Sequence, residues 1–224
     1  MTSDRSVIVD SLGVGLATGA YGVSFGALST SSSGLTVLQT CVMSLFVFTG
    51  ATQFAFIGTV ASGGNPVAGA LTATLLGSRN LFYGLSIAQK LRLSGPARLA
   101  SAHLVIDEST ATSVTRDTTR QARLGFFWTG LSIFVLWNIT TLLGAIAGEN
   151  IGDPKTYGLD AAVGAAFLGL LWPRLATWQG RLVALVGAAV ALGAIPLTSP
   201  GIPIIIGGAV AVLLGMLWQP RERT

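Results

Sequence analysis

Two long stretches without a charged residue constrain the fold of this chain most. Residues 126–148 and 202–220 contain no Asp, Glu, Lys or Arg. A helix rises about 1.5 Å per residue, so about 20 apolar residues cross the hydrocarbon core of a bilayer. Only 10% of the 224 residues are charged, against about 25% in soluble domains. We therefore predict an all-α integral membrane protein with a single transmembrane domain over residues 1–224.

The basic balance of the chain follows a membrane pattern. The formal net charge is +4, but the cations lie at the ends of apolar runs, which argues against a nucleic-acid partner and for the lipid bilayer. Cys41 is the only cysteine, and the sequence has no soluble catalytic motif and no metal-ligand spacing. We expect no cofactor, no metal and no enzymatic activity, and we place the chain in the cell membrane as a multi-pass protein.

Apolar runs separated by polar turns predict about seven transmembrane helices. A polar stretch at 90–123, expected to be a cytoplasmic or interfacial linker helix, separates the third span from the fourth. The predicted spans are 7–30, 38–61, 66–89, 124–148, 159–172, 182–197 and 202–218.

The distribution of Lys and Arg predicts an orientation. The segment 90–123, the turn with Arg174 and Arg181, and the C-terminal tail carry most of the cations. With seven spans all three fall on one side, which the positive-inside rule makes cytoplasmic. The N-terminus is then expected outside, although Arg5 argues weakly for the opposite orientation.

The layout of the spans suggests an internal repeat. Residues 7–89 and 124–197 would each hold three spans, with a Gly-Ala pair in the first and second span of each set. Because three is an odd number, the second set would be inverted relative to the first. The last span would then be an additional C-terminal helix.

Four glycines share one face of the first span. Gly15, Gly19, Gly22 and Gly26 are spaced by four, three and four residues. This spacing is typical of a seam at which two helix backbones approach closely. The alternative is a hinge, or backbone that lines a cavity.

Polar residues in the second and third spans are candidates for a binding site. Thr49 and Gln53 lie one helical turn apart, and a Gln amide in hydrocarbon needs partners. Arg79 lies mid-span, about 16 Å in helical rise from Lys90, which is long for snorkelling. Each could hold helices together or contact a solute, and Arg79 suits a carboxylate.

Other ionisable and polar groups have similarly open interpretations. Asp107 could pair with Arg79 or titrate, within a segment 96–114 that is either a solvated helix or one that enters the membrane. His103 could relay protons but is more typical of a packing residue. Trp137 lies mid-span. Asp160 opens the fifth span, as a first-turn carboxylate or a titrating group.

Five short motifs occur in order along the chain. They are Gly22-Val23-Ser24-Phe25-Gly26, Thr49-Gly50-Ala51-Thr52-Gln53-Phe54, Arg79-Asn80-Leu81-Phe82-Tyr83, Asp107-Glu108-Ser109 and Leu159-Asp160-Ala161-Ala162. In this order they resemble the AzlC family, the larger subunit of branched-chain amino-acid exporters, and the resemblance covers about residues 11–218. One departure is visible, since the family often has Asn-Arg-His where this chain has Ser78-Arg79-Asn80.

The resemblance implies a function and partners. It implies proton-driven export of valine, leucine, isoleucine and sometimes methionine, together with a small AzlD-type membrane subunit. A homo-oligomer is also compatible with the sequence. A non-transporting membrane subunit and a channel for another small solute are the alternatives.

The resemblance and the residues together give a predicted site. Arg79 would receive the substrate carboxylate, and Asp107 or Asp160 would couple transport to protons. Phe54, Phe82 and Trp137 would form apolar walls for the aliphatic side chain. The substrate-binding set is Arg79, Gln53, Thr49, Asn80, Tyr83 and Trp137.

Overall fold

The computed structural model describes residues 3–151 and 171–217, together with the separate positions 156, 158, 161, 164, 167 and 168. All regular structure in these residues is helical. Asp4–Ser31, Thr119–Gly148 and Trp178–Leu197 are long and apolar enough to cross a bilayer, and shorter apolar helices accompany them.

The first two helices pack along the longest one through the glycine seam. Helix α1 (Asp4–Ala20) and helix α2 (Gly22–Ser31) are separated only at Tyr21, and both lie against helix α9 (Thr119–Gly148). A Cβ atom at Gly19 would lie 2.5 Å from the Cβ of Leu136. The seam predicted from the glycine spacing is therefore confirmed as a close helix contact.

Helices α1 and α9 run in the same direction. Arg120 pairs with Asp4 at 2.8 Å and Arg116 with Asp10 at 3.3 Å, so the two helices begin at the same end of the protein. We call this the cationic end, because segment 90–123 lies there. The prediction of an N-terminus on the opposite side from segment 90–123 is therefore wrong.

The second predicted span is a re-entrant hairpin. Helix α3 (Val37–Phe46) begins beside the end of α2, where Thr40 contacts Ser29 at 2.8 Å. It ends deep in the bundle, and residues 47–49 break the helix. Helix α4 (Gly50–Ala61) then returns to the end at which α3 began. It packs antiparallel to the next helix, α5 (Pro66–Gly77), which starts at that same end.

The third predicted span is interrupted but continuous in direction. Helix α5 (Pro66–Gly77) begins at the end opposite the cationic end, and helix α6 (Arg79–Leu91) finishes at the cationic end. Arg123 of α9 marks that finish, since its Nε donates to the Leu91 carbonyl at 2.7 Å. The interruption at Ser78 puts Arg79 halfway along the combined segment.

The segment predicted as a linker forms a second hairpin, entering from the cationic end. Helix α7 (Gly95–Ala102) runs inward and helix α8 (Asp107–Val114) runs back, where Lys90 Nζ donates to the Val114 carbonyl at 2.6 Å. The two hairpin tips meet: the His103 ring nitrogen lies 2.9 Å from the Leu45 carbonyl. Residues 96–114 thus enter the helical bundle.

These directions give a repeat different from the predicted one. An inverted relation between 7–89 and 124–197 needs spans one and four to run in opposite directions, whereas α1 and α9 run in the same direction. Instead, α1–α4 and α5–α8 each consist of an interrupted helix followed by a re-entrant hairpin. The two units run in opposite directions.

The C-terminal helices form an antiparallel pair at the side of these units. Helix α10 (Trp178–Ala194) packs on helix α11 (Ile202–Leu217), with short 3-10 turns at Trp172–Ala176 and Ile195–Leu197. The pair contacts α5, where Thr72 donates to the Gly201 carbonyl at 3.2 Å. The fifth predicted span, 159–172, lies mostly outside the described residues.

Candidate functional site

A cavity of about 480 Å³ lies where the two hairpin tips meet the two helix interruptions. We call it the charged cavity. Tyr21 and Arg79 reach it from the interruptions, while Thr49 and Asp107 reach it from the first turns after the tips. Both repeat units therefore contribute equivalent elements to one site.

An ion pair lies at the wall of the charged cavity. Arg79 Nη2 is 2.6 Å from Asp107 Oδ2, with about a quarter of each side chain exposed. The Tyr83 hydroxyl donates to Asp107 Oδ1 at 2.9 Å. Pairing with Arg79, one of the two possibilities that the sequence left open for Asp107, is present in the structure. Arg79 Nε is buried and has no acceptor among the described residues.

Two helix N-termini converge on the same cavity. Thr49, Gly50 and Ala51 begin α4, and Asp107 and Glu108 begin α8. The first amide groups of a helix have no acceptor inside the helix, and its dipole favours an anion there. Helix α8 carries two acidic residues in its first turn, whereas α4 carries none.

The N-terminus of α4 has no cap of its own. Thr49 occupies the capping position, but its side chain makes no capping hydrogen bond, and its buried hydroxyl has no partner among the described residues. These amides and this hydroxyl are therefore available to an anionic group in the cavity.

Aromatic rings form the apolar wall of the charged cavity. The Tyr21 and Phe54 centroids are 5.4 Å apart, and Trp137 meets Phe54 edge-on at 6.3 Å. Trp137 is only 3% exposed, yet its indole N–H has no acceptor among the described residues. A buried donor of this kind is expected to find a partner. Ile133 completes the wall.

A second and larger cavity, of about 880 Å³, adjoins the charged one. Gln53 and Asn80 line it, and the buried carbonyl oxygen of each amide has no donor among the described residues. Gln53 donates its amide to the Met43 carbonyl at 3.3 Å, which ties α4 to α3. Phe48 and Thr49 line both cavities and lie between them.

The structure thus divides the predicted site residues into groups. Arg79, Trp137 and Thr49 line the charged cavity, Gln53 and Asn80 line only the larger one, and Tyr83 supports Asp107. Of the predicted walls, Phe54 lines the charged cavity, but Phe82 is 66% exposed on the surface. Asp160 lies outside the described residues.

Several lining residues were not singled out from the sequence as site residues, and three of them have large or charged side chains at key positions. Tyr21 lies at the interruption of the first span, Phe48 at the first hairpin tip, and Glu108 beside Asp107. Only Glu108 left a signal, because a second carboxylate directly follows Asp107 in the motif that resembles the family. Among the described residues, no group of three His, Cys, Asp or Glu side chains could hold a metal ion.

Comparison with known proteins identifies a family whose model covers the helices that form the charged cavity. The family model described as AzlC protein matches residues 13–151, which include all of α9 and both repeat units except residues 4–12 of α1. The chain belongs to the AzlC family. All the described residues that line the charged cavity, except Phe167, fall inside this match.

Three relatives cover most of the chain. The branched-chain amino acid transport protein AzlC of Bacillus subtilis is 24% identical over 90% of this chain and 80% of its own length. An uncharacterized membrane protein of Archaeoglobus fulgidus is 34% identical over 87% and 85%. The inner membrane protein YgaZ of Escherichia coli is 26% identical over 86% and 82%. No solved structure matches the chain.

These findings establish the class of protein. The relatives from Archaeoglobus and Escherichia are named as membrane proteins, and the described residues include several helices long enough to cross a bilayer. The chain is a multi-pass membrane protein of a transport family.

Proposed function

We propose that this chain exports branched-chain amino acids, driven by protons, as the large subunit of a two-component permease. The observation that carries the proposal is the charged cavity, which combines a guanidinium, an uncapped helix N-terminus, carboxylates and an aromatic wall in one site. These are the groups that a zwitterion with an aliphatic side chain requires. The printed name of the Bacillus relative supports the same substrate class.

The substrate carboxylate is proposed to bind between Arg79 and the start of α4. The Nε of Arg79 and the hydroxyl of Thr49 are both buried, and neither has a hydrogen-bond partner among the described residues. Charge-assisted hydrogen bonds to a carboxylate would satisfy both groups. Discontinuous helices whose N-termini face an anionic substrate group are a recurring arrangement in secondary transporters.

The aliphatic side chain is proposed to pack against Tyr21, Phe54, Ile133 and Trp137. Each buried methylene contributes about 0.8 kcal/mol. Apolar contacts between aromatic rings and a branched aliphatic side chain discriminate only modestly between substrates that differ by one methylene. The site would therefore accept valine, leucine and isoleucine alike, and methionine as well.

The direction of transport and the second subunit rest on the family relationship. Copurification is the direct test of the second subunit: the chain is coexpressed with a small AzlD-type membrane protein. A stable one-to-one complex supports the two-component permease. Independent elution of the two proteins from a size-exclusion column contradicts it. Light scattering on the same column reports whether the chain forms a homo-oligomer.

Binding of truncated analogues tests the proposed substrate. Calorimetry compares leucine with leucinamide, which lacks the carboxylate, and with 4-methylpentanoate, which lacks the ammonium group. We expect leucine alone to bind well.

Arg79→Lys should weaken leucine binding about tenfold, because the point charge of a lysine ammonium group cannot replace the planar guanidinium fork. Arg98→Lys in the larger cavity is the matched control. Equal binding of leucine and leucinamide would contradict the proposal.

A further inference from the structure

Glu108 differs from Asp107, which also lines the charged cavity, in having no partner on any other described residue. The Asp107 carboxylate is held by Arg79 and Tyr83. The Glu108 side chain also lines the cavity, but it makes no ion pair or hydrogen bond with any other described residue. Its carboxylate is therefore the one that remains open to a ligand in the described part of the site.

The charges around Glu108 do not neutralise it. Helix α6 contributes Arg79 and Tyr83, α8 contributes Asp107, and the interruption of the first span contributes Tyr21. The residues that α4 and α9 present to the cavity carry no ionisable carboxyl or basic group. Among the described residues Arg79 and Asp107 cancel, so an ionised Glu108 leaves one negative charge without a countercharge in this part of the apolar bundle. Such a charge needs a proton or a cation.

A second observation points to a ligand at the same place. Trp137 is only 3% exposed and lines the cavity, and its indole N–H lacks an acceptor among the described residues. The Glu108 carboxylate can accept from a ligand, since no other described residue pairs with it, and the Trp137 indole N–H can donate to one. A molecule that carries both an ammonium and a carboxylate group complements the two.

We propose that Glu108 binds either a proton or the ammonium group of the substrate, and never both. The inference rests on the proposed function, since it takes an amino-acid zwitterion as the substrate. When the ammonium group arrives, the Glu108 carboxyl releases its proton to the water of the compartment that the cavity faces. When the amino acid leaves, a proton from that compartment restores the neutral carboxyl.

Mutually exclusive occupancy is sufficient to couple the two movements. A cavity that changes sides only with Glu108 neutralised carries an amino acid one way and a proton the other. Each cycle then exchanges one zwitterion for one proton and moves one net positive charge with the proton. This assigns proton coupling to Glu108 rather than to Asp107, whose carboxylate is already held by two partners.

Calorimetry of leucine binding in two buffers with different ionisation enthalpies tests the inference. We expect the wild-type protein to release about one proton per leucine bound in acidic buffer, by thermodynamic linkage. On further acidification the leucine Kd should rise up to about tenfold per pH unit. Binding of leucine without proton release would overturn the inference while leaving the proposed function intact. Absence of amino-acid binding would overturn both.

Four variants assign the released proton to a residue. Glu108→Gln should bind leucine more weakly, release no proton and lose the pH dependence of Kd. Glu149→Gln, an exposed control at the end of α9, should behave as wild type. Glu108→Asp keeps the carboxylate and should keep proton release, which provides a second readout if Glu108→Gln does not fold. Proton release that persists in Glu108→Gln and is absent in Asp107→Asn would overturn the assignment.

Discussion

The ion pair between Arg79 and Asp107 shows how single residues make this site feasible inside an apolar bundle. A guanidinium at mid-depth is costly unless it is paired and hydrogen-bonded. Asp107 supplies the countercharge at 2.6 Å, and Tyr83 holds the second carboxylate oxygen. The pair therefore fixes the Arg79 side chain, while its Nε has no acceptor among the residues that the structure describes.

The indole N–H of Trp137 provides a residue-level prediction. Trp137→Phe keeps a ring in the wall and removes only a donor that has no acceptor among the described residues. If that donor meets the substrate, leucine affinity should fall about fivefold, the worth of one hydrogen bond of about 1 kcal/mol. Calorimetry measures this change. Trp128→Phe on the exposed face of α9 is the control, and unchanged affinity in Trp137→Phe would contradict the contact.

Gly50 provides a prediction about substrate size. A Cβ atom at this position would lie 2.9 Å from Cη2 of Trp137, so Gly50→Ala must displace the ring or the start of α4, both of which line the charged cavity. We expect affinity for leucine and isoleucine to fall more than affinity for alanine. Gly58→Ala on the same helix is the control, because its Cβ meets nothing within 4 Å. An equal loss for all substrates would show a defect in folding rather than in cavity size.

Among the secondary-structure elements, the glycine seam could be predicted from the sequence, but the two re-entrant hairpins could not. The spacing of four small residues directly encodes a helix face, and α9 packs there. A hairpin such as α3–α4 has the same length and hydrophobicity as a spanning helix. Its break at residues 47–49 contains no Pro or Gly, so hydropathy cannot distinguish the two. Tertiary contacts with α9 and α5 determine the turn.

The same limit explains what the sequence revealed of the site. Arg79 and Asp107 were recognisable because a charged side chain inside an apolar run needs a partner or a functional role. Tyr21 and Phe48 were not, since aromatic residues are common in membrane helices and their role depends on where a helix is interrupted. Gln53 and Asn80 have the expected polarity, but they line the larger cavity, because α4 and α6 rotate them away from Arg79.

The seam gives a prediction for helix packing. A Cβ atom at Gly26 would lie closer to the Thr141 carbonyl than real atoms approach, and backbone cannot move aside cheaply. Gly26→Ala should therefore destabilise the protein by about 1–3 kcal/mol. Gly13→Ala on the preceding helix α1 meets nothing within 4 Å and should be neutral or stabilise by up to about 1 kcal/mol. Thermal unfolding in detergent measures both. Equal stability of the two variants would contradict the seam.

At the scale of the whole molecule, the helix directions agree with the distribution of charge. The structure brings Arg5 and the segment 90–123 to one end. Helix α10 begins near Arg181 and runs away from that end, as the contact of Gly201 with Thr72 indicates. The positive-inside rule then makes this end cytoplasmic. Arg5, which disagreed with the seven-span orientation, agrees with this one.

Cysteine labelling tests this orientation. In a Cys41→Ser background, Ser3→Cys and Ser32→Cys distinguish the alternatives, because seven spans put residue 3 outside and residue 32 inside. The structure predicts the reverse. Ser62→Cys, expected outside, and Ser94→Cys, expected inside, are controls on which both orientations agree. A membrane-impermeant maleimide that labels Ser3→Cys in intact cells would contradict the structure.

Leucine counterflow in proteoliposomes tests directly whether this chain transports a branched-chain amino acid. Vesicles loaded with unlabelled leucine receive radiolabelled leucine outside. We predict saturable uptake that internal leucine accelerates and that internal 4-methylpentanoate does not accelerate. Arg79→Gln should abolish this uptake, although the variant should still elute as a folded protein. Uptake that is absent from wild-type vesicles, or that rises linearly with concentration without acceleration, would contradict the account and favour a non-transporting subunit or a channel.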